Sequence, residues 1–288
     1  MFYLIIATIL WSLSFSLIGY SLSSDINSWT LAFLRSTIAC IIFARWIDFK
    51  IPASYIIRII FIGALQIGVM YLLYLNAFNY TSVQKILLFT VTTPFYVSMI
   101  SQIINQKLKP SAFFIVFLSV LGGLIIRITV FDINDLTGLF LVQLANICFA
   151  LGQVLYKRLK KVSIKTVSVF TDFAFFFIGA TLVTFTALVI SPYNYTQPAS
   201  INQWLLILWL GGGASGIGYY FWNYGSTQVR VETLATMNNL VIPLGLFIEI
   251  AFFSGNYNYQ SLVIGTVIIA SSIIASLSAS VNGSNIAS

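Results

Sequence analysis

Apolar runs of about twenty residues recur along the whole chain, and the gaps between them are short and polar. A lipid-crossing helix needs about 20 predominantly apolar residues. The pattern therefore predicts ten spans, at 2–21, 29–46, 56–78, 82–104, 111–130, 137–156, 166–190, 202–225, 230–253 and 259–280. The breaks include SSDIN (23–27), NQKLKP (105–110), FDIND (131–135) and SPYNYTQPAS (191–200), which leave no room for a soluble domain. The first run has no basic leader and no convincing small-residue cleavage site, so it reads as a retained span rather than a signal peptide.

The two halves carry the same element. NYTSVQKILLFTVTTPFYVSMISQIINQKLKP (79–110) aligns with QVRVETLATMNNLVIPLGLFIEIAFFSGNYNY (228–259) at an offset of 149, which sets Pro94 on Pro243 and Thr90 on Asn239. Upstream, YLLYLNAF (71–78) answers YYFWNYGS (219–226), and LWSLSFSL (10–17) answers CFALGQVL (148–155). Five spans per repeat is an odd number, so the second copy enters the membrane upside down. The expected units are 1–136 and 137–281, followed by a polar tail, 282–288. Inverted repeats of this kind place a site near the midplane, where the halves meet.

Lysine and arginine set the orientation. With a cytoplasmic N-terminus the inner loops collect Arg45, Lys50, Arg58, Lys107, Lys109, Lys157, Arg158, Lys160, Lys161, Lys165 and Arg230. Arg35, Lys85 and Arg127 lie within or near the outer parts of spans, so both ends are expected inside. The densest basic block, KRLKKVSIK (157–165), marks the middle of the chain.

Composition agrees with the pattern: 7% of the 288 residues are charged, against about 25% in soluble domains. The net charge of +7 is spread over loops of a membrane protein and does not imply nucleic-acid binding. Cys40 and Cys148 sit apart in apolar runs and read as packing residues. Histidine is absent, which excludes His-based triads and zinc sites. The seven carboxylates are scattered, so no enzyme, cofactor or metal site is expected. GGGASGIG (211–218) lacks the strand and lysine of a phosphate loop. Gly212 and Gly216 there are expected to give close helix packing, with a bending point as the alternative.

Proline offers a direct clue. Pro94 and Pro243 have no N–H, so the carbonyls of Thr90 and Asn239 each lose a helical partner. A freed carbonyl beside Asn238 and Asn239 needs water, a neighbouring helix or a ligand. A binding site at the kink and a kink satisfied by other helices both fit. Trp11, Ser14, Tyr74, Asn76, Asn146, Gln153, Trp222 and Asn223, with Thr90, Thr93, Asn238 and Asn239, make an expected cavity wall. The mix of aromatic and hydrogen-bonding groups suits a small amphipathic organic solute better than a bare ion. For each residue alone the alternative is an interhelical hydrogen bond or an interfacial aromatic.

Charge at membrane depth costs about 2.5–3.5 kcal/mol on insertion scales, which makes Arg35, Lys85, Asp172 and Glu249 functional candidates. Asp172 and Glu249 are the carboxylates available to cycle a proton, although Asp172 has the basic block nearby and Glu249 lies near the outer end of its span. Arg35 is a structural anchor or an anion contact. Lys85 is read as reaching the outer surface.

With these residues in hand, the chain resembles the EamA family of the drug/metabolite transporter superfamily. LNAFNYTSVQKILLFTVTTPF in one half, NYGSTQVRVETLATMNNLVIPL in the other, and LAFLRSTIA (31–39) carry the likeness. Members commonly have Gly-Glu after the fourth and ninth helices, where this chain has Gln106-Lys107 and Gly255-Asn256. The resemblance implies an all-α membrane protein, ten transmembrane helices as two inverted five-helix repeats around a central cavity. It further implies a bacterial inner-membrane carrier of small metabolites such as amino acids or related amines, frequently exported. Alternating access would rock the halves around Pro94 and Pro243, with flexible ends near Gly225 and Gly211–Gly213. Multidrug efflux of hydrophobic cations and a passive facilitator or channel are the alternatives. The expected partners are a small-molecule solute and the lipid bilayer, with a homodimer as an open option.

Overall fold

The computed structural model describes residues 1–22, 25–106, 109–126, 133–162, 167–192, 195–253 and 258–284. Lys107, Arg127, Asp132, Lys165, Gly255, Asn256 and the last residues of the tail lie outside them. The described residues form ten helices and no strand. The helices are α1 (Phe2–Ser21), α2 (Ser28–Trp46), α3 (Ala53–Ala77), α4 (Val83–Asn105), α5 (Pro110–Ile126), α6 (Leu136–Val162), α7 (Val169–Ile190), α8 (Ile201–Gln228), α9 (Val231–Phe252) and α10 (Tyr259–Ser284). Nine are long and apolar enough to cross a membrane, and α5 is shorter. Helix starts are marked by side-chain caps: Asn27, Ser168 and Ser200 accept backbone N–H groups at the starts of α2, α7 and α8.

The largest departure from the expected spans is α6, which continues to Val162 through the basic block. The block is charged, but it remains amphipathic. Leu159 is buried on one side, and Lys160 turns inward to Asp172 at 2.8 Å.

Packing exchanges partners between the halves. Helix α1 lies against α8 and α9, while α6 lies against α3 and α4. Helix α2 packs on α8 as α7 packs on α3, and α5 pairs with α10. Each contact has a counterpart five helices on, as a two-fold relation between the halves demands. The local breaks repeat as well. Helices α3 and α8 each contain a π-helical stretch, Ala64–Val69 and Leu210–Ile217. Helices α4 and α9 each narrow to a 3-10 turn just before their prolines, Thr90–Thr92 and Asn238–Leu240.

Close helix approach falls at glycines other than those expected. A Cβ on Gly63 would sit 1.9 Å from the Phe176 carbonyl oxygen, and one on Gly179 would sit 2.0 Å from that of Ile60. These two positions let α3 and α7 touch backbone to backbone. Gly212 would meet only the flexible tip of Ile42 at 3.1 Å, and Gly216 nothing nearer than 3.4 Å. Within the glycine-rich stretch the tight positions are Gly211 against Ile38 and Gly218 against Trp11.

Gly179→Ala is expected to lower the melting temperature of the purified protein, at a cost of about 1–3 kcal/mol from forced separation of α3 and α7. Gly213→Ala, with no contact under 3.6 Å, is the matched control and is expected to leave it unchanged. Equal melting of both variants would refute the backbone contact.

Candidate functional site

A central cavity, about 750 Å³ counted out to open solvent, lies among α1, α2, α3, α4, α6, α8 and α9. Trp11, Ser14, Tyr74, Thr90, Thr93, Asn146, Trp222 and Asn238 border it. Its aromatic side is a box: Trp11 stands 4.9 Å from Trp222, 5.0 Å from Tyr219 and 5.5 Å from Phe149, centroid to centroid. The π-helical stretch of α8 helps to hold that box, because the Trp11 Nε1 donates to the Ala214 carbonyl at 2.9 Å. With its N–H committed, Trp11 offers its ring face to the cavity.

The polar side is made chiefly of acceptors. Asn146 spends its amide on the Phe89 carbonyl at 2.9 Å, and Asn238 spends its own on Leu234 at 2.8 Å. Thr93 donates to the Thr90 carbonyl at 2.7 Å, Thr90 to Leu87 at 2.7 Å and Ser14 to Leu10 at 2.8 Å. Carbonyl and hydroxyl oxygens on α1, α4, α6 and α9 are thus left to accept from a bound molecule.

The proline-freed carbonyls are answered internally. That of Thr90 takes both the Thr93 hydroxyl and its amide, and that of Asn239 takes the amide of Val241. Asn239 itself points away from the cavity. Its Nδ2 donates to Val91 at 3.2 Å and Ser119 at 3.1 Å, tying α9 to α4 and α5. Three other expected wall residues also lie outside. Asn76 accepts from Ser28 at 2.8 Å, Gln153 accepts from the Trp222 indole at 3.0 Å, and Asn223 donates to Tyr219 at 3.2 Å.

Neither membrane-depth carboxylate borders the cavity. Asp172 is fully buried and takes Tyr55 at 2.8 Å, Tyr156 at 3.0 Å and Lys160 at 2.8 Å. Glu249, also fully buried, accepts from Gln84 and so joins α9 to α4. Lys85 does not reach for the surface alone; it pairs with Asp135 at 2.6 Å, which also takes the Thr81 hydroxyl at 2.7 Å.

Arg35 brings the strongest charge to the wall. It sits mid-helix on α2 with 3% of its surface exposed. Its Nη2 donates to the Tyr71 hydroxyl at 2.9 Å and its Nε to Ser215 at 3.2 Å, while Tyr71 and Ser215 share a 2.6 Å hydrogen bond. The guanidinium also lies 4.3 Å from the Tyr71 ring centroid. Its Nη1 has no partner, and among the described residues no carboxylate pairs with it. Tyr71, Tyr219 and Phe149 were not singled out from sequence, whereas Arg35 was, as an anchor or an anion contact outside the expected wall. Tyr71 stands one turn before Tyr74 on the same helix face, the one signal that pointed to it.

Comparison with known proteins agrees with this architecture. Residues 1–128 match the EamA-like transporter family. The biotin transporters of Salmonella typhimurium and Escherichia coli are each 37% identical over 276 residues, covering 94% of this chain and 90% of theirs. The chain belongs to the EamA-like transporter family. A probable biotin transporter of Pseudomonas aeruginosa is 34% identical over 274 residues, 94% of this chain and 95% of its own. A solved crystal structure at 17% identity superposes with a TM-score of 0.72 over 94% of both chains, a likeness of fold alone. As an EamA-like protein the chain is a multi-pass bacterial membrane transporter of small metabolites.

Asn238 and Asn239 separate a wall role from a tie between helices. Asn239→Ala is expected to destabilise the protein by about 1–3 kcal/mol, since it leaves two buried carbonyls without that donor. Asn238→Ala is expected to preserve melting and weaken solute binding, both read on the purified protein by thermal shift with and without solute. The opposite assignment of effects would overturn this reading.

Proposed function

We propose that this protein is an alternating-access carrier for a small monocarboxylate with a hydrogen-bonding ring, biotin or a close analogue. The observation that carries the reading is Arg35, a buried guanidinium on the cavity wall with one nitrogen unpartnered and, among the described residues, no carboxylate paired to it. A charge held there without a protein counterion is costly, so an anionic solute is its natural complement. Biotin has a carboxylate at one end and ureido N–H groups at the other. The donor from α2 fits the first, and the acceptors of α4, α6 and α9 fit the second. The indole and phenyl faces between them suit its apolar rings and chain. The names of the relatives support the same solute.

This reading moves the solute from amines to acids. Among the described residues no carboxylate borders the cavity to meet an ammonium group, and Arg35 repels hydrophobic cations, which disfavours multidrug efflux. Helices α1, α8 and α9 form one moving body and α3, α4 and α6 the other, with Pro94 and Pro243 near the pivots. Asp172 and Glu249 stand toward opposite ends of the bundle, where a proton gradient would act. The protein is placed in the inner membrane with both ends cytoplasmic. The described cations Arg45, Lys50, Arg58, Lys109, Lys157, Arg158, Lys160, Lys161 and Arg230 crowd the face where α1 begins.

Radiolabelled biotin exchange in proteoliposomes tests the proposal. Saturable exchange is expected, competed by biotin but not by its methyl ester. Arg35→Gln is expected to cut the apparent affinity about 100-fold, or roughly 2.7 kcal/mol for loss of a buried charge pair. Exchange by Arg35→Gln at the normal affinity, or equal competition by the ester, would rule the carboxylate contact out.

A further inference from the structure

A second and larger cavity opens at the face where α1 begins, between the ends of α4, α6 and α8 and the start of α9. It encloses about 2050 Å³ counted out to open solvent. Among the described residues six cations line it, Lys109, Lys157, Arg158, Lys160, Lys161 and Arg230. Two carboxylates answer them: Glu232 takes Lys109 at 3.5 Å and Arg230 at 3.4 Å, and Asp172 takes Lys160 at 2.8 Å. Positive charge is therefore left in excess. Cations needed only to orient the chain could sit anywhere on this face, as Arg45, Lys50 and Arg58 do outside the cavity. Here they converge on a concave space whose α4 wall is polar, with Ser98, Ser101 and Gln102. A cleft of one sign of charge with low-dielectric walls focuses its field outward and raises the local concentration of the opposite ion.

Lys157 has a particular place in it. It lies one turn beyond Gln153 on α6, and Gln153 lies one turn beyond Phe149 of the central cavity. The Gln153–Trp222 hydrogen bond, with both side chains buried, thus stands between the two cavities and crosses from α6 to α8. Among the described residues Lys157 has no ion-pair partner. Its Nζ donates instead to the carbonyls of Ser226 and Val229, where α8 ends. An ammonium held by neutral carbonyls has no counterion there, and exchanging them for a carboxylate adds the attraction of opposite charges.

We propose that this vestibule is a second anion site, in which Lys157 takes the solute's carboxylate in transit to or from Arg35. The inference rests on the reading that the solute is a carboxylate. Occupation draws Lys157 off the α8 carbonyls and so loosens the α6–α8 seam that Gln153 and Trp222 close.

The test uses Thr227→Cys, a vestibule position, in a Cys40→Ser, Cys148→Ser background in phosphatidylcholine vesicles. An anionic methanethiosulfonate is expected to react about tenfold faster than a cationic one of similar size, with the ratio collapsing toward one at high salt and reduced in Lys157→Gln. Pentanoate, a plain carboxylate, is expected to slow the reaction with Lys157 or Lys157→Arg and not with Lys157→Gln. A ratio near one with Lys157 intact, or no slowing by pentanoate, overturns the proposal. Slowing by phosphatidylglycerol in the vesicle and not by pentanoate also overturns it, assigning the site to lipid headgroups. The same assay in Arg35→Gln separates the two readings. Pentanoate protection that persists while biotin exchange fails even in wild type would sink the biotin reading and leave the vestibule site. Normal biotin exchange without pentanoate protection would do the reverse.

Discussion

A guanidinium buried in the middle of a lipid-spanning bundle is the constraint on which this structure turns. It cannot shed its proton, and lipid offers it nothing, so protein groups must replace water around it. Tyr71 and Ser215 do so, and their own positions depend on irregular backbone. Ser215 lies inside the π-helical stretch of α8, and Tyr71 stands two residues beyond that of α3. A π-helical turn adds a residue without ending the helix, which rotates everything beyond it and frees carbonyls on one side. The Trp11 indole takes one of these, at Ala214. The charge, its hydroxyl cradle and the aromatic box are therefore one construction, assembled from the equivalent breaks of the two halves.

The 3-10 turns of α4 and α9 make the opposite adjustment. They draw the backbone tighter before each proline, and the side chains around them are spent on repair. Thr93 returns to its own helix, Gln143 and Asn146 reach the Phe89 carbonyl from α6, and Asn239 staples the two broken helices together. What faces the cavity after this repair is oxygen, with few N–H groups to spare. Donor on one side and acceptors on the other give the site a direction.

Much of the fold was legible in the chain because its signal is local. Span length and the repeated proline element each need only a window of sequence, and the helices follow them closely. The site was legible in kind but not residue by residue. Asn238 and Asn239 are adjacent, yet successive residues in a helix point about 100° apart, and only packing decides which one meets the cavity. The freed carbonyl argued for the second, but the tightened turn closes that vacancy with the Val241 amide. Arg35 could be seen as buried charge, whereas its exposure to the cavity depends on how α2 is rotated between α7 and α8. Tyr71 and Tyr219 look like any aromatic in an apolar run until the helices are assembled. The basic block resembled a loop because charge density masked an amphipathic helix whose Leu159 and Lys160 face inward.

The aromatic box has an optical consequence. Of the six tryptophans, Trp11 and Trp222 share the cavity wall with their rings 4.9 Å apart and inclined by 40°. Indoles this close exchange excitation, and anything that slides between or against them alters both the coupling and the polarity each ring senses. The protein thus carries its own chromophore pair at the place where a solute would lodge, and occupancy is readable as a change in native fluorescence and near-ultraviolet dichroism without any added label.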